Sequence, residues 1–166
     1  MVWGMTLETF TFVHVVLSVI GIASGLVVLF GLLTGHKRDG WTALFLMTTA
    51  ATSVTGFGFP VDHLLPSHVV GIISLVVLAV AVLARYHAQL GGAWRWIYVV
   101  CATIALYLNV FVGVVQAFLK VSILKAVAPQ QTEPPFVVTQ LTVLTLFILL
   151  TIVAVKKFRS EPIVRA

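Results

Sequence analysis

The histidines of this chain have the broadest chemical capacity, because imidazole can bind haem iron or a transition metal and can exchange a proton near neutral pH. Residues 56–71 read GFGFPVDHLLPSHVVG and place Asp62, His63 and His68 between long apolar runs. His14 lies within the first of those runs. Only 9% of the residues are charged, so this stretch concentrates much of the polarity of the chain.

A b-type haem takes axial imidazoles from two helices at matching depth, and two pairs of histidines could supply them. His14 and His68 form the first pair, at one end of the apolar runs. His36 and His87 form a second, less favourable pair, because each lies about 20 residues, or roughly 30 Å of helix, beyond its counterpart. A haem iron bound by this second pair would lie among lipid headgroups. Three arginines near the second pair could bind haem propionates: Arg38, Arg85 and Arg95.

A transition-metal site is an alternative use of the same residues. Asp62, His63 and His68, with His14, offer the carboxylate and imidazole ligands that suit zinc, copper or iron. The spacing matches no established metal motif, and no cysteine accompanies it. The remaining alternative is that the loop histidines are solvated at the membrane interface and that His14 forms a hydrogen bond within the bundle.

Amide side chains form a second group of interest. Asn109, Gln116 and Gln140, with Glu133 beyond them, could line a pocket for a quinone headgroup or another small polar ligand, since amides can bond a carbonyl oxygen. Hydrogen bonding between helices is the competing interpretation. The threonines of the second apolar run, among them Thr52 and Thr55, are interpreted as packing residues.

The composition identifies the solvent of these residues as lipid. Apolar residues make up 60% of the 166 residues, and the mean hydropathy is +1.13, beyond what a soluble domain can cover. The net charge of +5 is spread over short loops, which favours contact with headgroups and not with nucleic acid. The single cysteine, Cys101, cannot form an intrachain disulfide. No charged residue lies mid-span, which disfavours an ion-driven transporter.

The apolar runs predict an all-α membrane protein, a bundle of five transmembrane helices. An external lead, 1–8, and a basic tail, 156–166, flank the single bundle, 9–155. The predicted spans are about 9–33, 41–59, 66–86, 96–119 and 136–155. Ser18, Gly21 and Gly25 share one face of the first span, where the glycine pair allows a neighbouring helix to approach closely.

The distribution of basic residues predicts the orientation of the bundle. Five spans place the termini on opposite sides, and one side carries eight lysines and arginines: Lys37, Arg38, Arg85, Arg95, Lys156, Lys157, Arg159 and Arg165. The other side carries only Lys120 and Lys125. The positive-inside rule makes the first side cytoplasmic, so the N-terminus and the cluster around His63 face outward.

Two resemblances add to these predictions. The segments FVHVVLSVIGIASGLVVLFGLL, HKRDGW, YLNVFVGVVQAFLKV and LKAVAPQQTEPPF resemble small bacterial integral membrane proteins of unknown function, over about residues 10–150. That resemblance implies a multi-pass protein of the bacterial inner membrane and brings no activity with it. The two levels of histidine resemble the architecture of two-haem b-type membrane cytochromes, from which the spacing departs.

The leading hypothesis is therefore a cofactor-binding redox or accessory membrane protein that holds a b-type haem or a transition metal. A second is a structural or assembly subunit, either a homo-oligomer or part of a larger membrane complex. A third is a protein that binds or carries a quinone-like small molecule. The sequence contains no standard hydrolase or nucleotide-binding motif, and it does not decide whether the protein is an enzyme.

Overall fold

The computed structural model describes residues 2–60 and 66–158, and 82% of these residues are helical. The helices are α1 (Leu7–Thr34), α2 (Asp39–Gly56), α3 (Pro66–Val82), α4 (Trp94–Lys120), α5 (Ser122–Val127) and α6 (Pro134–Lys157). Within the described ranges the only extended pairing is an isolated bridge between Val2 and Met5. The all-α prediction is thus confirmed, while the short helix α5 was not predicted.

Local sequence signals define the ends of the first helix. The hydroxyl of Thr6 accepts a hydrogen bond from the backbone N–H of Thr9 at 3.2 Å and so caps the helix N-terminus. Gly35 follows the last residue in the left-handed conformation, at φ 76°, which glycine adopts without strain. Its backbone N–H donates to the carbonyl of Gly31, one of those left unpaired at a helix end.

Helices α1 to α4 form an antiparallel four-helix bundle. The most extensive packing is between α1 and α2. α3 packs on both α2 and α4, and α4 closes the ring against α1. α1 and α3 are therefore diagonal neighbours across the bundle interior. α6 packs outside this ring, in the groove between α1 and α4.

In the described part of the chain, four helical segments are long and apolar enough to cross a membrane: Leu7–Thr34, Pro66–His87, Trp94–Lys120 and Pro134–Lys157. The second of them includes a π-helical turn, Leu83–His87, that continues α3. α2 has 18 residues and is not among the four, because its apolar positions are interrupted by five threonines and Ser53. Even so, Met47 of α2 is 71% exposed, as suits a side chain in contact with lipid.

Glycines allow α1 to approach its two neighbours closely. A Cβ atom on Gly25 would lie 2.5 Å from Leu106 of α4 and 2.9 Å from Phe45 of α2. One on Gly21 would lie 2.9 Å from the side-chain nitrogen of Asn109. Side chains larger than hydrogen would therefore separate α1 from α2 and α4 at these two levels.

The end of the bundle where α1 stops is held by two arginines, and we call it the arginine end. The side chain of Arg85 is 7% exposed, forms an ion pair with Asp39, and lies 5.2 Å from the ring centre of Tyr98. Arg95 donates hydrogen bonds to the carbonyls of Val155, at 3.1 Å, and Phe158. These bonds pair carbonyls at the C-terminus of α6, where a cation is favoured.

Candidate ligand cavity at the histidine end

A cavity of about 730 Å³ lies at the opposite end of the four-helix ring, which we call the histidine end. α1 and α3 begin there, and α2 and α4 end there. The volume falls in the range of about 300 to 1,000 Å³ that is usual for ligand pockets. Most of the wall is apolar, and the polar or titratable side chains on it are His14, Thr11, Ser18, Thr52, Ser53, Ser67, His68, Ser74, Asn109, Gln116 and Lys120.

His14 is held in one orientation and one tautomer. Its Nδ1 lies 2.8 Å from the hydroxyl oxygen of Thr55 on α2. That hydroxyl donates its own proton to carbonyls one turn earlier, Ala51 at 2.8 Å and Thr52 at 3.1 Å. Since the hydroxyl proton is used, its oxygen accepts from Nδ1–H, and we assign the ring proton to Nδ1. Nε2 then carries a lone pair, the form in which imidazole binds a metal.

His68 lies on the cavity wall across from His14, on the first turn of α3. It is buried, with 6% of its surface exposed, and its ring stacks on Phe57 with the centres 5.5 Å apart. His14 makes an edge-to-face contact with Phe59, at 5.2 Å, besides its bond to Thr55. Both imidazoles therefore contact the same short segment, residues 55–59, at the end of α2.

The deeper part of the cavity is lined by hydroxyl and amide groups. Ser53 donates to Ser74 across the α2–α3 interface at 3.1 Å, and Asn109 donates to Thr49 at 3.3 Å. Thr52 also lines the cavity, and its hydroxyl oxygen is buried without a hydrogen-bond partner among the described residues. A bound water or a ligand atom would satisfy this group.

The residues predicted to form the amide pocket are divided by the structure. Asn109 and Gln116 line the cavity, as does Ser18, which was assigned to helix packing. Gln140 and Glu133 do not line it. Gln140 is buried between α6 and α4, where it donates to the carbonyl of Phe111 at 3.3 Å.

Glu133 instead closes the turn that precedes α6. Its carboxylate accepts hydrogen bonds from the backbone N–H groups of Gln130, at 3.1 Å, and Thr132, at 3.0 Å. Desolvation raises the pKa of this carboxyl, but the backbone hydrogen bonds together outweigh it and lower the net pKa below its usual value. The role of Glu133 is therefore structural in this arrangement.

Two of the predicted metal ligands, Asp62 and His63, lie outside the described residues. Within residues 2–60 and 66–158, no group of three or more histidine, cysteine, aspartate or glutamate side chains is arranged to hold a metal ion. A site for a metal ion without a porphyrin would therefore need ligands from segment 61–65. The described residues alone supply two imidazoles to one cavity, which is enough for a haem.

The second predicted haem pair occupies a different environment. His36 and His87 are both exposed, and neither lines the cavity at the histidine end. Nor do they line the smaller depression of about 370 Å³ beside Arg85 at the arginine end. Of the arginines predicted to bind propionates there, Arg85 and Arg95 already bond to Asp39 and to the end of α6.

Two features of the cavity were not recognised in the sequence. Thr55 belongs to a threonine stripe interpreted as packing, yet its hydroxyl orients His14. The sequence assigned Lys120 to the less basic side of the bundle, whereas the structure shows that it lines the cavity. The seven-residue spacing from Thr48 to Thr55 puts these hydroxyls on one face of α2, but only the pairing of α1 with α2 shows which one meets an imidazole.

The described residues define a class of protein: an α-helical bundle with four membrane-length helices and a partly open, ligand-sized cavity that has two imidazoles on its wall. No known family model matches the chain, and neither the curated proteins nor the solved structures include a significant match.

Proposed function

We propose that the cavity binds one b-type haem with His14 and His68 as axial ligands, and that the protein transfers single electrons. The observation that supports this most is the placement of two imidazoles on diagonal helices, α1 and α3, on the wall of one cavity, where both contact residues 55–59. A macrocycle between diagonal helices is the usual arrangement of haem within a helical bundle. When bound, the haem would supply the one-electron chemistry.

The chemistry of the wall fits a flat apolar ring. Most of the lining residues are apolar, among them Ile22, Leu108 and Val112. The Nδ1–H of His14 is bonded to a hydroxyl oxygen, as metal-bound histidines commonly use their second nitrogen. Haem needs only two protein ligands, so this proposal does not require Asp62 or His63.

The proposal includes the arrangement in the membrane. α2 is the remaining span, because two of its hydroxyls are satisfied within the helix: Thr48 donates to the carbonyl of Leu44 at 2.7 Å and Thr55 to that of Ala51 at 2.8 Å. The N-terminus and the cavity then face outward, the arginine end faces the cytoplasm, and the membrane is the bacterial inner membrane. The excess of basic residues at the arginine end supports this orientation.

Absorbance spectroscopy tests the proposal directly. The full chain, expressed with ample haem and purified in detergent, should show one haem per chain and the sharp reduced bands of a six-coordinate, bis-imidazole iron. His14→Ala and His68→Ala should each abolish these bands. His87→Ala is the matched control, since that histidine is exposed and outside the cavity, and it should keep them. A protein without a Soret band, or one whose bands survive both cavity substitutions, refutes the proposal.

Cysteine labelling tests the orientation separately. In a Cys101→Ser background, a membrane-impermeant maleimide added outside should modify Pro60→Cys and Gln130→Cys but not Lys37→Cys. Labelling of Lys37→Cys and Pro60→Cys from the same side would show that α2 does not cross the membrane.

A second candidate ligand is a quinone-like molecule. The presence of Asn109 and Gln116 on the cavity wall favours it, because amides can donate to quinone carbonyls. Haem-free protein should then bind a short-chain quinone analogue, and Gln116→Leu should weaken that binding without unfolding the protein, since Gln116 is exposed. Binding that is unchanged in the variant would remove this candidate.

A further inference from the structure

Lys120 is a cation on the wall of the cavity, at the last residue of α4. Its side chain is exposed, and it forms no ion pair with any described residue. The ion pair between Arg85 and Asp39 lies at the opposite end of the bundle. The described residues that line the cavity include no carboxylate. The positive charge at this end of the cavity is therefore not neutralised by any described lining group.

The position of this charge relative to the imidazoles is informative. Lys120 lines the same cavity as His14 and His68. Residues deeper along the same face of α4, Gly113 and Asn109, line the cavity further from the membrane surface. Along α4 the wall thus runs from an amide at depth to an ammonium group near the interface, about 16 Å apart along the helix.

We propose that Lys120 binds a carboxylate of the ligand, so that the haem lies with its propionates toward the outer interface and its apolar edge deep in the bundle. An ammonium group pairs with a carboxylate at the membrane interface, where the charged ends of both can remain hydrated. The reverse orientation would place two carboxylates beside Ile22 and Leu108, at hydrocarbon depth, at a high desolvation cost. The inference depends on the proposed haem function and specifies the ligand chemistry at one end of that site.

The test compares two ligands that differ only in their acidic groups. Full-length protein expressed without haem is titrated in detergent with iron protoporphyrin IX and with its dimethyl ester. Wild-type protein should prefer the free acid, and added salt should reduce that preference. Lys120→Gln should bind the free acid about fivefold more weakly, near the upper limit for an exposed ion pair, while binding of the ester stays unchanged.

Two further variants separate charge from position. Lys120→Arg keeps the charge and should keep the preference for the acid. Lys125→Gln removes an equally exposed cation from α5, outside the cavity, and should have no effect. An acid-to-ester preference that is the same in Lys120→Gln as in wild type overturns this inference and leaves the haem proposal intact. Failure of wild-type protein to bind either porphyrin overturns both.

Discussion

The hydrogen bond from His14 to Thr55 allows the haem proposal to be tested without removing a ligand. Thr55→Val keeps the shape of the side chain but leaves Nδ1–H of a half-buried imidazole without its acceptor. A buried donor without a partner costs about 1 to 3 kcal/mol. The ring can then move its proton to Nε2, which removes the lone pair needed by the iron. Haem affinity should fall about 10- to 100-fold, as is usual when a partner of a metal-bound histidine is lost.

The assay is a haem titration of the full chain in detergent, combined with a redox titration of the loaded protein. Thr55→Ser retains the hydroxyl and should restore affinity and midpoint potential. Thr151→Val is a matched control, because Thr151 also donates to a carbonyl of its own helix, Phe147 at 2.7 Å, but lies on α6. If Thr55→Val binds haem with wild-type affinity and potential, the assignment of Nε2 as the ligand atom is wrong.

Three more predictions concern the bundle. Gly25→Ala should destabilise the protein by about 1 to 3 kcal/mol in detergent unfolding, because its Cβ would overlap two buried side chains, whereas Gly113→Ala, with its nearest contact at 3.5 Å, should be tolerated. Arg85→Ala should destabilise more than Asp39→Asn, since Arg85 is buried and Asp39 is exposed and screened by water; neither should change haem binding. The pKa of Glu133 in the folded protein lies below its ordinary value, so its stabilising effect is present above that ordinary pKa and is lost as the pH falls through the folded pKa. Protection of the Gln130 and Thr132 amides from hydrogen exchange, expressed as the ratio of intrinsic to observed rate, should therefore fall in acid, and Glu133→Gln should abolish that fall.

Most of the helical architecture follows from the length of the apolar runs. A run of 20 or more apolar residues has few alternatives to a helix in lipid, so helices such as α4 begin and end within a few residues of the predicted spans. α2 is less apolar because its threonines alternate with aliphatic residues, and composition alone does not identify it as a span. α5 has no buried residue, so no hydrophobic pattern could have indicated it.

The site is less predictable because it depends on pairing between helices. Asn109 and Gln116 were predicted to share one polar pocket with Gln140, and the structure places the first two on the cavity. Gln140 does not line it, because α6 packs outside the ring of four helices. Which helix neighbours which is decided by side-chain fit, such as that of Gly25 against Phe45 and Leu106, and one sequence does not contain that information explicitly.

The asymmetry between the two ends bears on how the proposed cytochrome would work. Electron transfer across a membrane requires a second centre, because a single haem near one surface leaves a gap of roughly the hydrocarbon thickness, about 30 Å. At the arginine end His36 and His87 are exposed, and Arg85 and Arg95 are engaged by Asp39 and α6. A single haem at the histidine end would therefore exchange electrons with partners on its own side of the membrane. Redox titration of the loaded protein should accordingly give one transition, and a second transition lost in His87→Ala would show that the inner pair binds haem as well.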